Sequence, residues 1–300
     1  MQSASQSNTL PRAEIITAGV YATVERELSI QTDAPEVAAY VRRVYAPAAL
    51  PSPSGALPFD RGLILAERAQ VLFNGERLPL AAHESGDAFR AGFYGSSRLV
   101  RASLGRQSTR TTLHAAAVRV GDAAVIFVAK PFGGKTTLTL AMLERGALLY
   151  SDEFVTVEQP SRDVAGIRRT LHVRETSLDA IAQPAIRRHC TLAPGRTTPL
   201  GWRVWDDVDP RDAFGPGVFA EPAPLRAVIA IEPATEEASS PLVPISPLTA
   251  ALAVSDRLTL PGPGFERYRT AVDLCEGVAC FRLAIGSAQA AAERIFEAVC

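Results

Sequence analysis

Apolar positions along the chain fall into strand-length and helix-length runs, and their pattern sharpens past Gly105. Ahead of it, Glu14 to Thr17 and Leu28 to Thr32 predict short strands, while Val37, Tyr40, Val41 and Val44 recur at helical spacing before Pro47 and Pro51. Between Val71 and Leu78, Asn74-Gly75 separates two strand-like runs. Asn-Gly accepts the positive φ of a type I′ turn, so a hairpin is expected. Phe89, Phe93, Leu99 and Val100 predict a helix over Ala88 to Leu104, weakened by Gly92 and Gly95. Residues 1–107 therefore read as a small α+β subdomain without visible chemistry.

Leu113 to Val118 and Ala123 to Ala129 read as two strands of a hairpin turning at Gly121-Asp122. Thr136 to Arg145 predicts a buried helix that Gly146 ends. Leu148 to Tyr150 and Phe154 to Val157 are the next strands, with Ser151-Asp152-Glu153 between them. Gln183 to Pro224 shows no period and reads as a long loop or several short pieces. Strands at Ala227 to Ile231 and Ala279 to Ile285 then alternate with helices at Pro247 to Arg257, Phe265 to Leu274 and Ala288 to Val299. There is no internal repeat, and 108–300 reads as a second, larger α/β domain.

Composition narrows the function classes. With 47% hydrophobic residues the chain can bury a substantial core. A net charge of -1 and the lack of a long basic run give no footing for broad adhesion to nucleic acid or acidic lipid. The longest apolar runs are strand-length, far short of a bilayer span. Met1 to Asn8 is polar and lacks the charged start and apolar middle of a secretory signal, so the cytoplasm is the expected compartment. Cys190, Cys275, Cys280 and Cys300 lack the spacing of a zinc site and read as reduced, structural thiols. Of 31 Lys plus Arg, the only lysines are Lys130 and Lys135. Arginine serves everywhere else, so this window required a compact ammonium on a flexible stem.

That window holds Ala129-Lys130-Pro131-Phe132-Gly133-Gly134-Lys135-Thr136, which matches G-x-x-x-x-G-K-[ST] except for Ala129 at the first glycine. An apolar strand enters, Gly133-Gly134 turns backbone N–H groups toward an anion, and a helix begins with its positive end facing that anion. Phosphate binding is the direct expectation: Phe132 to Thr137 contact the nucleotide, Lys135 the outer phosphates, and the Thr136 hydroxyl joins an Mg²⁺ shell. Asp152-Glu153 can divide metal binding from proton abstraction, the two roles phosphoryl transfer needs. His114, read as starting the hairpin strand, could reach and orient Asp152; a lone strand histidine is more often a satisfied core residue. Arg174 could neutralise charge on a transferred phosphoryl group, or make a surface ion pair with Glu175.

Leu113 to Val118, the loop, and Arg145 to Glu153 together resemble the catalytic domain of the HPr kinase/phosphorylase family. The resemblance is specific over Leu113 to Val157 and continues only by element order to Val299. It implies a phosphoenolpyruvate-carboxykinase-like P-loop fold within a mixed α/β chain and a kinase using ATP and Mg²⁺. It further implies a serine-like hydroxyl as acceptor, Asp152 as base, and Glu153 as a metal or outer-shell acid. Departures are Ala129 for glycine, Glu153 for the second aspartate, and Leu171-His172-Val173-Arg174-Glu175 where the family has Leu-Glu-Ile-Arg-Gly, so His172 replaces a metal-binding glutamate. The acceptor is expected to be a hydroxyl-bearing peptide, protein or small molecule, not nucleic acid or membrane, and a homo-oligomer is compatible with the reading. A nucleotide-binding switch with little or no catalysis is the alternative, and phosphotransfer to a carboxylate or enol a third.

Overall fold

Ile16–Thr23 (β1) and Arg26–Thr32 (β2) pair antiparallel, and their buried side chains face helices α1 (Pro35–Val44) and α2 (Ala88–Leu104). The computed structural model describes residues 14–107, 109–193, 195–197, 203–232, 240–259 and 263–299. Strands β3 (Ala49–Leu50), β4 (Phe59–Leu65), β5 (Gln70–Phe73) and β6 (Glu76–Leu78) complete a six-stranded sheet in the order β3-β1-β2-β4-β5-β6. Asn74 and Gly75 have φ of 50° and 89°, the left-handed pair that joins β5 to β6 as expected. The glycines that weaken α2 in sequence have a packing reason. A Cβ on Gly92 would lie 2.5 Å from Val37, and one on Gly95 2.9 Å from Val71, so both let the helix sit close to its neighbours.

A second, nine-stranded sheet begins at β7 (Arg110–Leu113), followed by β8 (Ala116–Val120), β9 (Ala123–Ala129), helix α3 (Lys135–Glu144), β10 (Leu148–Ser151), β11 (Val155–Glu158) and β12 (Asp163–Gly166). The expected single strand from Leu113 to Val118 is broken at His114-Ala115: β7 pairs with β11, whereas β8 pairs with β9 and β10. His114 therefore sits in a crossing between sheet segments, its N–H donating to the Arg257 carbonyl at 2.8 Å, and not on the hairpin strand.

The segment from Gln183 to Pro224, aperiodic in sequence, holds short elements: α4 (Pro184–Leu192), β14 (Arg196–Thr197), β15 (Arg203–Val208), α5 (Pro210–Phe214) and the start of β16 (Ala223–Glu232). Strand β13 (Leu171–Arg174) joins β15 and β14 in a three-stranded sheet. Elements this short give the sequence no period to display. β17 (Leu242–Pro244), α6 (Pro247–Ser255), α7 (Gly264–Cys275), β18 (Ala279–Ala284) and α8 (Ala288–Val299) complete the chain.

Strand β9 is buried along its whole length because helices cover both faces of the central sheet. Val125 and Phe127 pack with Leu138 and Met142 of α3 and Ile295 of α8, while Ala124, Ile126 and Val128 pack with Ala250, Val254 and Leu274 of α6 and α7. Among the described residues no helix is long and apolar enough to cross a membrane, and Cys190, Cys275 and Cys280 are free and buried; Cys300 lies outside them.

The topology that matters for chemistry is the path from β9 through α3 to β10. β8 lies between β9 and β10 and is antiparallel to both, so β9 and β10 run parallel and end at the same edge of the sheet. Whatever follows β9 and whatever follows β10 are thereby brought together.

Candidate functional site

Two peptide segments leave that edge. After β9 the chain turns over Lys130 to Gly134, with the Gly133 N–H donating to the Lys130 carbonyl at 3.0 Å. A Cβ on Gly133 would lie 2.8 Å from Cβ of Ala129, so alanine in place of the first glycine is accommodated because Gly133 has no side chain. Gly134 caps α3 in the left-handed region, φ 87°, leaving the first N–H groups of the helix without intrahelical acceptors. At the other end Gly146 (φ 91°) stops the helix, with Gly146 N–H donating to Leu143 at 3.0 Å and Ala147 N–H to Met142 at 3.1 Å. The helix is thus held at both ends, with its positive end open to the site.

Lys135 is the first residue of α3, and its ammonium is held down to about 8, first by burial and then by the nearby Arg257 guanidinium, with Asp152 acting in the opposite direction. Arg174, at the end of β13, lies over the Phe132 ring at 4.2 Å, and Phe132 itself has φ 67° and is 56% exposed. Thr137 Oγ1 donates to Ser177 Oγ at 2.9 Å.

After β10 comes Asp152, buried, with Oδ2 accepting from Thr136 Oγ1 at 3.4 Å and from the His172 N–H at 3.2 Å. Glu153, its neighbour, faces elsewhere. One of its oxygens pairs with the buried Arg169 guanidinium and the other accepts from Ser97 Oγ of α2 at 3.1 Å. With both oxygens engaged by protein partners, Glu153 serves to join α2 to this loop, and Asp152 is the carboxylate turned toward α3. His114, expected to orient Asp152, does not contact it. Its ring lies 5.5 Å from Phe154, and burial, followed by the repulsion of Lys135 and nearby arginines, pushes its pKa down to about 4, so it is neutral at pH 7. Arg174 and Glu175 do not pair either, since Glu175 accepts from the Arg203 N–H at 3.4 Å.

The aperiodic segment supplies residues that the sequence does not single out. β15 bulges opposite His172, and Asp206 in the bulge binds His172 Nδ1 while accepting from Arg196 Nε at 3.1 Å. Burial alone would raise the Asp206 carboxyl, but the His172 hydrogen bond and the Arg196 charge prevail and hold it at about 2. Arg196 in turn lies over the rings of Phe89 at 5.6 Å and Phe93 at 4.9 Å, one turn apart on α2. Only contacts across long sequence separations mark these groups.

These walls enclose a cavity of about 1140 Å³ between the turn from Lys130 to Gly134 and the first two turns of α2. It is lined by all of the residues expected to bind phosphate from Phe132 to Thr137, by Asp152, Glu153, His114 and Arg174, and by the aromatic face of α2. Among the described residues no cluster of three or more His, Cys, Asp or Glu side chains is placed to hold a metal by itself. The Thr136 hydroxyl nevertheless suits Mg²⁺, which takes oxygen ligands and commonly uses one or two protein groups together with substrate phosphates.

No protein-family model matches the chain, and no curated protein matches it significantly. Among solved structures, the Hpr(Ser) kinase/phosphatase from Coxiella burnetii is similar with a TM-score of 0.30 and 15% identity, over 62% of this chain and 86% of that chain. A likeness this distant assigns no activity.

Proposed function

We propose that this chain is a kinase that binds a magnesium nucleoside triphosphate, ATP in the simplest case, and passes the terminal phosphoryl group to a hydroxyl. The observation that carries this reading is the approach of the Asp152 carboxylate to the Thr136 hydroxyl, 3.4 Å, at the open positive end of α3. Bound nucleotide would supply the transferable group, and Mg²⁺ would offset its charge. The amides opening α3 and the Lys135 ammonium would hold phosphate oxygens, the Thr136 hydroxyl would help hold Mg²⁺, and Arg174 would meet charge on the transferred group. Asp152, anchored by the His172 N–H, receives the acceptor's proton. The phosphoenolpyruvate-carboxykinase-like fold, the division at residue 108 and a cytoplasmic setting belong to the same proposal.

The engagement of Glu153 by Arg169 favours a second reading, a nucleotide-binding switch. It leaves one carboxylate available where transfer draws on two roles. Transfer from labelled ATP to a broad panel of hydroxyl acceptors separates the readings. For a kinase, Asp152→Asn lowers turnover by about 10²- to 10⁴-fold, the usual worth of a general base, while ATP affinity stays within a few-fold. Tight ATP binding with no acceptor phosphorylated would leave the switch, and no ATP binding at all would end both.

A further inference from the structure

Charge pairing in the cavity says what kind of acceptor fits beside a bound nucleotide. Three cations of the wall are already matched: Arg90 by Asp87 at 3.3 Å, Arg169 by Glu153, and Arg196 by Asp206 at 3.1 Å. Among the described residues, Lys135 and Arg174 are the lining cations without a carboxylate in contact, and Asp152 is the lining carboxylate without a cation in contact. Both unmatched cations stand at the start of α3, Lys135 as its first residue and Arg174 over Phe132 in the turn before it. A magnesium nucleoside triphosphate, still anionic, takes them both together with the positive end of α3.

The opposite wall is of a different kind. Phe89 and Phe93 stand one turn apart on α2 and meet Tyr40 edge-on and tilted, at ring separations of 5.4 and 5.8 Å, and the Arg196 guanidinium over them is already committed to Asp206. Beside the paired Arg196 and Arg90 guanidinium groups, this face offers aromatic carbon and no uncommitted charge. The cavity of about 1140 Å³ is lined by both walls, so a nucleotide held at the first leaves the second open to another group.

We infer that the acceptor is a small, uncharged alcohol with an apolar body of aromatic size, seated against Phe89 and Phe93 with its hydroxyl toward Asp152. The inference rests on the kinase reading and specifies its substrate class. An acceptor carrying a carboxylate or phosphate would bring a charge into a space whose cations are all committed once nucleotide is bound, and an unpaired charge out of water is strongly disfavoured.

The test uses a matched pair, 3-phenylpropane-1,2-diol and 3-phenyllactate, which differ by a CH₂OH group against a carboxylate. Affinities are measured by calorimetry on the full chain, with and without saturating Mg²⁺ and a non-hydrolysable ATP analogue. With the analogue bound, the diol is expected to bind at least tenfold more tightly than phenyllactate. Without it, that preference shrinks or reverses, because Lys135 and Arg174 are then open to the carboxylate. Thr197→Lys, an exposed lining position, adds a cation without touching the core and should move the loaded protein's preference toward phenyllactate. Equal affinities, tighter phenyllactate binding or no diol binding in the loaded protein would overturn the inference while leaving the kinase reading intact. Failure of the ATP analogue itself to bind would instead end the reading beneath it.

Discussion

Lys135→Met should make the unliganded protein more stable and its nucleotide binding weaker. The ammonium titrates near 8 in the folded chain against an ordinary 10.5, because it is largely out of water and close to Arg257. Below pH 8 both folded and unfolded chains hold the proton, so the full cost of burying the charge is present at pH 7. It is relieved as pH rises from 8 to 10.5. A displacement of this size corresponds to about 3 kcal/mol, an upper figure for the stability gained at pH 7 on replacement by methionine. The opposite effect is expected on binding, where loss of a charge-assisted contact costs about 1.5–3 kcal/mol, or about ten- to a hundredfold in Kd.

The same titration gives a pH signature. A bound polyphosphate favours the ammonium, so above pH 8 binding must draw in a proton and affinity falls. From pH 7 to pH 9 the protonated fraction drops from about nine-tenths to about one-tenth, so the wild-type Kd weakens by about tenfold with Mg²⁺ held saturating. Fluorescent-nucleotide titration across this range, beside urea melts of both proteins, measures each limb. A flat wild-type profile, or the same slope in Lys135→Met, would refute the placement of this lysine on the phosphates.

Glu153→Gln leaves the Arg169 guanidinium, 4% exposed, without its carboxylate, and should lower stability by about 2–4 kcal/mol in denaturant melts. The Mg²⁺ concentration for half-maximal turnover should not move, and a raised requirement would return Glu153 to the metal. His114 titrates at about 4 against an ordinary 6.5, so as pH falls the unfolded chain takes up the proton first and stability drops between 6.5 and 4. His114→Gln should remove about 2–3 kcal/mol of the difference in unfolding free energy between pH 7 and pH 4.5, and an unaltered acid limb would contradict the burial of this ring beside Lys135.

What the chain determines by itself is local. Asn74-Gly75 dictates its turn because few other residue pairs accept two positive φ values, and Gly146 ends α3 for the same reason. The turn from Lys130 to Gly134 was legible because strand, glycines and helix start are contiguous, so one short window sets both the turn and the helix dipole behind it. The apolar periods of α2 and α8 likewise gave their bounds, Ala88–Leu104 and Ala288–Val299. The position of His114 was not legible because the run from Leu113 to Val118, apolar but for that histidine, does not reveal that its two ends pair with different strands.

The rest was decided by tertiary structure. Asp152 and Glu153 are adjacent in sequence and chemically alike, yet one faces α3 and the other a buried arginine, because Ser97 and Arg169 stand on only one side of the turn. The Asp206 carboxylate lies 34 residues from His172 in the chain and within hydrogen-bond reach of it in space, through a bulge no local pattern announces. Sequence sets which groups are present and how the backbone bends. Which charge is cancelled, and which is left to act, depends on neighbours that only the closing of the sheets and of α2 over them brings within a few ångströms.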